Sequence, residues 1–394
     1  MAPIDVAIVG AGPAGSTAAN LLARRGHRVV VFDRERFPRF HIGESLLPVS
    51  LPILELLGVE LDSSRYQHKQ GAEFIDEASG ESASFDFAEA LPGTARHAYQ
   101  VERSRFDFEL LQQAEARGAE LRMGVLVEGV DIDDDGVELR ADGQVVCARY
   151  LIDASGQDAM LGRARRSIEG HRGYGRAAVF AHYQGLGDAA VARIGALGNI
   201  RILMVEDGWL WLIPLCDRSL SVGLVKRRGK MGLEAFEAAV AASELVGELT
   251  AGSARTAPRI VRNFSYRNRT PSGARSVCIG DAACFLDPVF SSGVALAMVG
   301  AVRAAELLDP ALRAQREHEP ELMAPLSEHM QLAYGSVGAL IDRFYNTRMV
   351  HNLFFAPRPD PELRAGLISM LAGDLWRSDN RFHDTLLRSV RRRG

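Results

Sequence analysis

The first 33 residues constrain the fold of this chain more tightly than any other stretch. Asp5-Val6-Ala7-Ile8-Val9 is a short, β-branched, apolar run that reads as a buried strand. It leads directly into Gly10-Ala11-Gly12-Pro13-Ala14-Gly15. A helical pattern follows from Ser16 to Arg25 and closes at Gly26. Arg28-Val29-Val30-Val31-Phe32 then reads as a second strand ending at Asp33. Strand, G-x-G-x-x-G, helix, strand and acid stand in register, with the acid 23 residues after Gly10. A lone G-x-G-x-x-G is weak evidence, but the complete unit points to a dinucleotide site. Gly10 permits the tight turn, Gly12 lets the backbone approach a pyrophosphate, and Gly15 lets helix and strand pack closely. The helix start offers N–H groups and a positive dipole end to phosphates. Asp33 can accept hydrogen bonds from a ribose. Gly10, Gly12, Ala14, Gly15 and Asp33 are therefore candidate cofactor-binding residues.

A chain of 394 residues exceeds one ordinary core, so two domains or one large domain with insertions is expected. Its 46 basic and 50 acidic residues give a net charge of -4, which supplies no basic field for nucleic acid. The four cysteines, at 147, 216, 278 and 284, are scattered without a C-x-x-C pair. That argues against a disulfide framework or a zinc site and fits a reducing cytoplasm. The ten histidines show no metal-ligand spacing, so no metal is expected. No apolar run reaches the roughly 18 residues of a membrane span. The apolar N-terminus lacks a basic n-region and is the glycine fingerprint itself, so it is not read as a signal peptide.

Four further segments decide between dinucleotides. Gly43-Glu44-Ser45 lies in the loop after the second strand, within Arg36 to Pro48. Gln100-Val101-Glu102-Arg103 starts a helical stretch. Tyr150-Leu151-Ile152 reads as a strand and leads into Asp153-Ala154-Ser155-Gly156, and Val277 to Ala283 reads as a strand ending in Gly280-Asp281. In this order they resemble the elements of the p-hydroxybenzoate-hydroxylase-like flavoproteins. That resemblance implies FAD, with Asp281 on the ribityl chain, Arg103 near the flavin, and Gly43, Glu44 and Ser45 in the cofactor loop. It also implies an α/β fold: a discontinuous Rossmann-like FAD-binding domain, an inserted sheet-rich substrate domain and a short helical C-terminal region. The expected boundaries are 1–75, 98–165 and 270–310 for the FAD domain. The substrate domain takes 76–97 and 166–269, and the helical region 311–394.

Two of the three tryptophans stand in Trp209-Leu210-Trp211-Leu212-Ile213-Pro214. On a strand this spacing puts both indoles on one face. Taken alone, the run is equally well a buried strand with an aromatic face. Phe285-Leu286-Asp287-Pro288-Val289-Phe290-Ser291-Ser292-Gly293 follows the Gly-Asp element, with a helical pattern from Val294 to Leu308. Together, Trp-x-Trp-x-Ile-Pro and Phe-x-x-Pro-x-x-Ser-x-Gly resemble the signatures of the flavin-dependent halogenases. The resemblance implies a flavin C4a-hydroperoxide that oxidises chloride or bromide, with O2 as co-substrate. Trp209 and Trp211 would form a barrier between flavin and organic substrate. Pro288 and Gly293 would contact the cofactor, and the halide would sit near the backbone of Ser291, Ser292 and Gly293, where a helix start offers free N–H groups. A turn that only cradles the flavin is the other reading of those residues.

Lys69, one of three lysines, lies in Tyr66 to Phe74, about 25 residues after Gly-Glu-Ser. This segment resembles the one that bears the halogenases' lysine for phenolic and pyrrolic substrates. The resemblance gives Lys69 the task of positioning or carrying hypohalous acid; a surface lysine at a strand start is the plain alternative. Glu44 and Glu73 are candidates for accepting the ring proton. With no second dinucleotide fingerprint, a separate flavin reductase is the implied partner. The substrate implied is a small electron-rich aromatic, free or tethered to an acyl or peptidyl carrier protein. The resemblance runs from about residue 4 to 305. The basic tail Arg388 to Arg393 reads as a solvated, disordered end. A flavin hydroxylase and a flavin-dependent reductase of isoprenoid double bonds are the alternative activities.

Overall fold

The computed structural model describes residues 4–171, 177–195, 197–206, 208–226, 231–262, 264–346, 353–356 and 359–391. The fold is α/β, as expected, and two large sheets dominate it. In the first, five strands run parallel in the order Ser276–Cys278, Gln144–Asp153, Ile4–Val9, Val29–Asp33, Glu120–Met123. Register pairs Ile8 with both Ile152 and Val31. These inner strands are apolar without alternation because both faces are covered, as parallel sheets require. Helix Pro13–Arg24 covers one face and packs against the 21-residue helix Gly293–Arg313. All the strands end on the same side, so Gly10, Asp33, Ala154 and Gly280 open onto one crevice at their carboxyl ends.

The second sheet has the order Ala254–Arg255, Ala177–Gln184, Ser219–Lys226, Gly208–Leu215, Ile200–Val205, Gly71–Asp76, Ser82–Asp86. Its central strands obey the two-residue period. Trp209, Trp211 and Ile213 face the core shared with the first sheet. Leu210 and Leu212 face a second core with Leu203, Val222 and Leu224. Phe236, Val246 and Leu249, from helices Leu233–Ala242 and Glu244–Thr250, seal that core.

Two sequence expectations need correction. Val277 to Ala283 is not one strand: the strand is Ser276–Cys278, and Gly280–Ala282 is a 3-10 turn entered with Gly280 at φ +59°. The basic end is not disordered through 388–391, because helix Arg381–Arg391 is docked. Phe382 and Leu386 are buried, His383 Nε2 lies 2.6 Å from Ser336 Oγ, and Arg343 donates to Ser389. The apolar residues at i and i+4 anchor this helix while Arg381 and Arg388 stay exposed. Arg392 and Arg393 lie outside the described residues. No helix among the described residues is long and apolar enough to cross a membrane.

Candidate active site

A cavity of about 950 Å³ fills the crevice between the two sheets. It is lined by Gly10, Gly12, Ala14 and Asp33 from the fingerprint, by Gly43, Glu44 and Ser45, by Arg103 and by Asp281. Trp209, Trp211, Pro288, Ser291, Ser292 and Gly293 line the same space. Gly15 packs just behind it. Of the residues singled out in the sequence, Gly15, Lys69 and Glu73 are not at this wall.

The fingerprint turn can be built only with glycine. Gly10 has φ +103°, and a Cβ there would lie 2.1 Å from the Ala154 carbonyl oxygen. A Cβ at Gly15 would lie 1.9 Å from the Gly10 carbonyl oxygen. Asp33 braces the turn: the Ala11 N–H donates to Oδ2 at 2.8 Å, and the Glu35 N–H to Oδ1 at 2.9 Å. A cavity of this size lined by a helix start, an acid at the second strand's end and a glycine cradle fits FAD.

Arg103 organises the opposite side. Its guanidinium forks onto Asp107, with Nε and Nη2 donating at 2.7 and 2.9 Å, and Nη1 donates to the carbonyls of Ile42 and Gly43. It therefore fixes the loop that presents Glu44 and Ser45. Burial pushes the Asp281 carboxyl up to about 6, with the Arg103 charge opposing. Burial, followed by the Arg103 charge, lowers His41 to about 4. The neutral ring of His41 then satisfies the Ile42 carbonyl from Nδ1 at 2.6 Å.

Glu44 is 1% exposed, and its Oε1 lies 2.8 Å from His182 Nε2. Its second oxygen has no hydrogen-bond partner among the described residues. Glu73, the other acidic candidate, accepts from Arg201 Nε at 2.7 Å and does not line the cavity.

Lys69 is buried behind the Gly-Glu-Ser loop. Its strand, Gln67–Lys69, pairs with Ala98–Gln100. Nζ donates to Ser45 Oγ and to the Leu46 carbonyl, both at 2.9 Å, and lies 5.3 Å from the Phe87 ring centre. Burial lowers its pKa to about 7. The ammonium therefore reaches the cavity wall through Ser45, which lines it.

The tryptophans stand side by side with ring centres 6.0 Å apart. Trp211 donates from Nε1 to Ser221 Oγ at 3.1 Å and packs against Phe180. Trp209 donates to the Tyr345 hydroxyl at 2.8 Å. Asp287 caps the turn Pro288–Phe290 by accepting from the Val289 N–H. Ser291 takes the left-handed conformation at φ +56°, and Ser292 and Gly293 begin the long helix. The N–H groups of that first turn have no acceptor within the helix.

Sequence reasoning missed His182, Ser221, Tyr334 and Tyr345. Tyr334 lines the cavity from helix Ala324–Asn346, so the C-terminal region takes part in the site. In the sequence the adjacent aromatics Phe344 and Tyr345 stand out in that region but carry no motif.

The statistical model described as tryptophan halogenase matches residues 5–95 and 88–356, beyond the limit of about 305 expected from motifs alone. The chain is 32% identical over 320 residues to tryptophan 2-halogenase of Chondromyces crocatus, covering 76% of this chain. It spans 60% of that relative's length. It is 28% identical over 405 residues to the 1H-pyrrole-2-carbonyl-(peptidyl-carrier protein) chlorinase of Pseudomonas fluorescens, covering 94% of this chain and 89% of the relative. The structure of the flavin-dependent brominase Bmp2 superposes with a TM-score of 0.86 at 26% identity, covering 99% and 98% of the two chains.

Proposed function

This chain belongs to the tryptophan halogenase family of flavin-dependent halogenases, and from that premise we propose that it halogenates an electron-rich phenolic or pyrrolic ring with chloride or bromide. The observation that carries the reading is the shared cavity. Both signature motifs line the one space that the glycine fingerprint also opens onto.

FAD would be held by the turn at Gly10, Gly12, Ala14 and Gly15, by Asp33 and by the loop of Gly43, Glu44 and Ser45. Arg103, Asp281, Pro288 and Gly293 would complete its site. Reduced FAD and O2 supply the two-electron oxidant that turns halide into hypohalous acid. The reduced cofactor comes from a separate flavin reductase.

The residues divide the remaining work. The helix start holds the halide beside Ser291, whose own N–H is taken by the Pro288 carbonyl at 2.9 Å, through the backbone N–H groups of Ser292 and Gly293. Trp209 and Trp211 wall off the cavity so that the organic ring stays away from the cofactor. Lys69 acts on hypohalous acid through Ser45, whose hydroxyl it donates to and which lines the cavity. The ring then exchanges a proton for halogen. Glu44, whose second oxygen is without a partner, accepts that proton and passes it to the hydroxide left by hypohalous acid, which departs as water.

The coverage of the carrier-protein chlorinase favours a tethered pyrrolyl or phenolic substrate. The test supplies a reductase, NADH, FAD and bromide, and compares pyrrole-2-carboxylate, a free phenol and a pyrrolyl-carrier protein. Bromination of the carrier-bound ring alone supports tethering, and equal turnover of the free acid removes it.

A further inference from the structure

Trp209 and the turn proposed to hold halide come from separate motifs, yet one side chain joins them. The indole N–H of Trp209 donates to the Tyr345 hydroxyl at 2.8 Å, and that hydroxyl donates to Asp287 Oδ2 at 2.8 Å. Asp287 Oδ1 accepts from the Val289 N–H at 3.1 Å. The thread runs from the tryptophan wall through Tyr345 to the turn that delivers Ser291, Ser292 and Gly293.

Each link answers a local need. Trp209 and Asp287 are each 1% exposed. A buried indole N–H requires an acceptor, and a buried carboxylate requires donors on both oxygens. One hydroxyl serves both. Tyr345 follows Tyr334 by 11 residues, about three helical turns, so the two share a helix face. Tyr334 lines the cavity on that face.

We propose that Tyr345 is a positioning residue that sets the halide turn against Trp209 and so tunes halide binding. The inference rests on the halogenase reading and names a role for the C-terminal helix within it. Tyr345→Phe deletes the hydroxyl and keeps the ring, which packs on Phe344 at 5.3 Å. Asp287→Asn cuts the thread at its other end and guards against a variant that fails to fold.

Two readouts are made on wild type and both variants with bound FAD: the bromide KM with reductase and NADH, and the bromide-induced change in the visible absorbance of oxidised FAD. FAD affinity and melting temperature are measured alongside. The expected result is a bromide half-saturation raised about tenfold in both readouts, the loss of one hydrogen bond to a charged group. FAD affinity should stay within about twofold of wild type. Unchanged bromide half-saturation in both variants overturns the proposal and leaves the halogenase reading standing. A parallel loss of FAD affinity and bromide response overturns it in favour of a purely structural role. A wild type with no saturable bromide response overturns the halogenase reading and this proposal with it.

Discussion

The ammonium nitrogen of Lys69 lies 2.9 Å from the hydroxyl oxygen of Ser45, joining the lysine of one segment to the Gly-Glu-Ser loop of another. The charge is buried with two neutral acceptors, and burial brings its pKa from 10.5 to about 7. Between these values the folded chain binds fewer protons than the unfolded chain, so this group makes stability rise with pH from about 7 to 10.5. In Lys69→Met that slope disappears. Thermal melts should therefore shift in favour of wild type, relative to the variant, on going from pH 7 to pH 9.5. A pH-independent difference contradicts the burial. The same variant should lose halogenation by about 100-fold or more while retaining FAD.

Gly10→Ala places a methyl group 2.1 Å from the Ala154 carbonyl oxygen at a backbone φ of +103°. Neither the strand end nor the turn can yield cheaply. The variant should be destabilised by about 1–3 kcal/mol and purify without FAD. Cofactor content by absorbance checks this, and a fully loaded variant contradicts it.

Gly223 pairs with Trp211 across the second sheet. A Cβ there would lie 2.1 Å from the Trp211 ring. Gly223→Ala should displace the indole and break its bond to Ser221, at a cost of about 1–3 kcal/mol. Tryptophan fluorescence should shift and the halogenation rate fall, with FAD affinity kept. An unchanged emission spectrum contradicts this placement of Trp211.

His182 gives a pH dependence of opposite sign. Burial lowers its pKa, but the hydrogen bond and charge of Glu44 outweigh that, and the net shift is upward from 6.5. The pair therefore stabilises the fold fully below pH 6.5 and loses that contribution as pH rises through the folded-state value. His182→Gln should lower the melting temperature at pH 6 and much less at pH 9. An equal loss at both contradicts the ion pair.

Local features were legible in the sequence. Gly10, Gly15 and Asp33 announce themselves because a tight turn dictates residue type and spacing, and Trp209 and Trp211 share a face because a strand alternates. The partners that orient these groups lie far along the chain. Trp209 meets Tyr345 across 136 residues, and Glu44 meets His182 across 138. No periodicity encodes such pairs; tertiary packing makes them. The same holds for Lys69, which reads as a strand-start lysine until the Gly-Glu-Ser loop closes over it. The helix Arg381–Arg391 was missed because its arginines outweigh two apolar anchors, Phe382 and Leu386.

Halide oxidation in the shared cavity is tested by mass spectrometry of the product. The protein receives FAD, a flavin reductase, NADH, bromide and an activated phenol or a pyrrolyl-carrier protein, with catalase present and Lys69→Ala in parallel. Wild type should give a product with the bromine isotope doublet that requires bromide and vanishes in Lys69→Ala. A product heavier by one oxygen, formed equally without halide, would contradict halide oxidation and make the chain a hydroxylase.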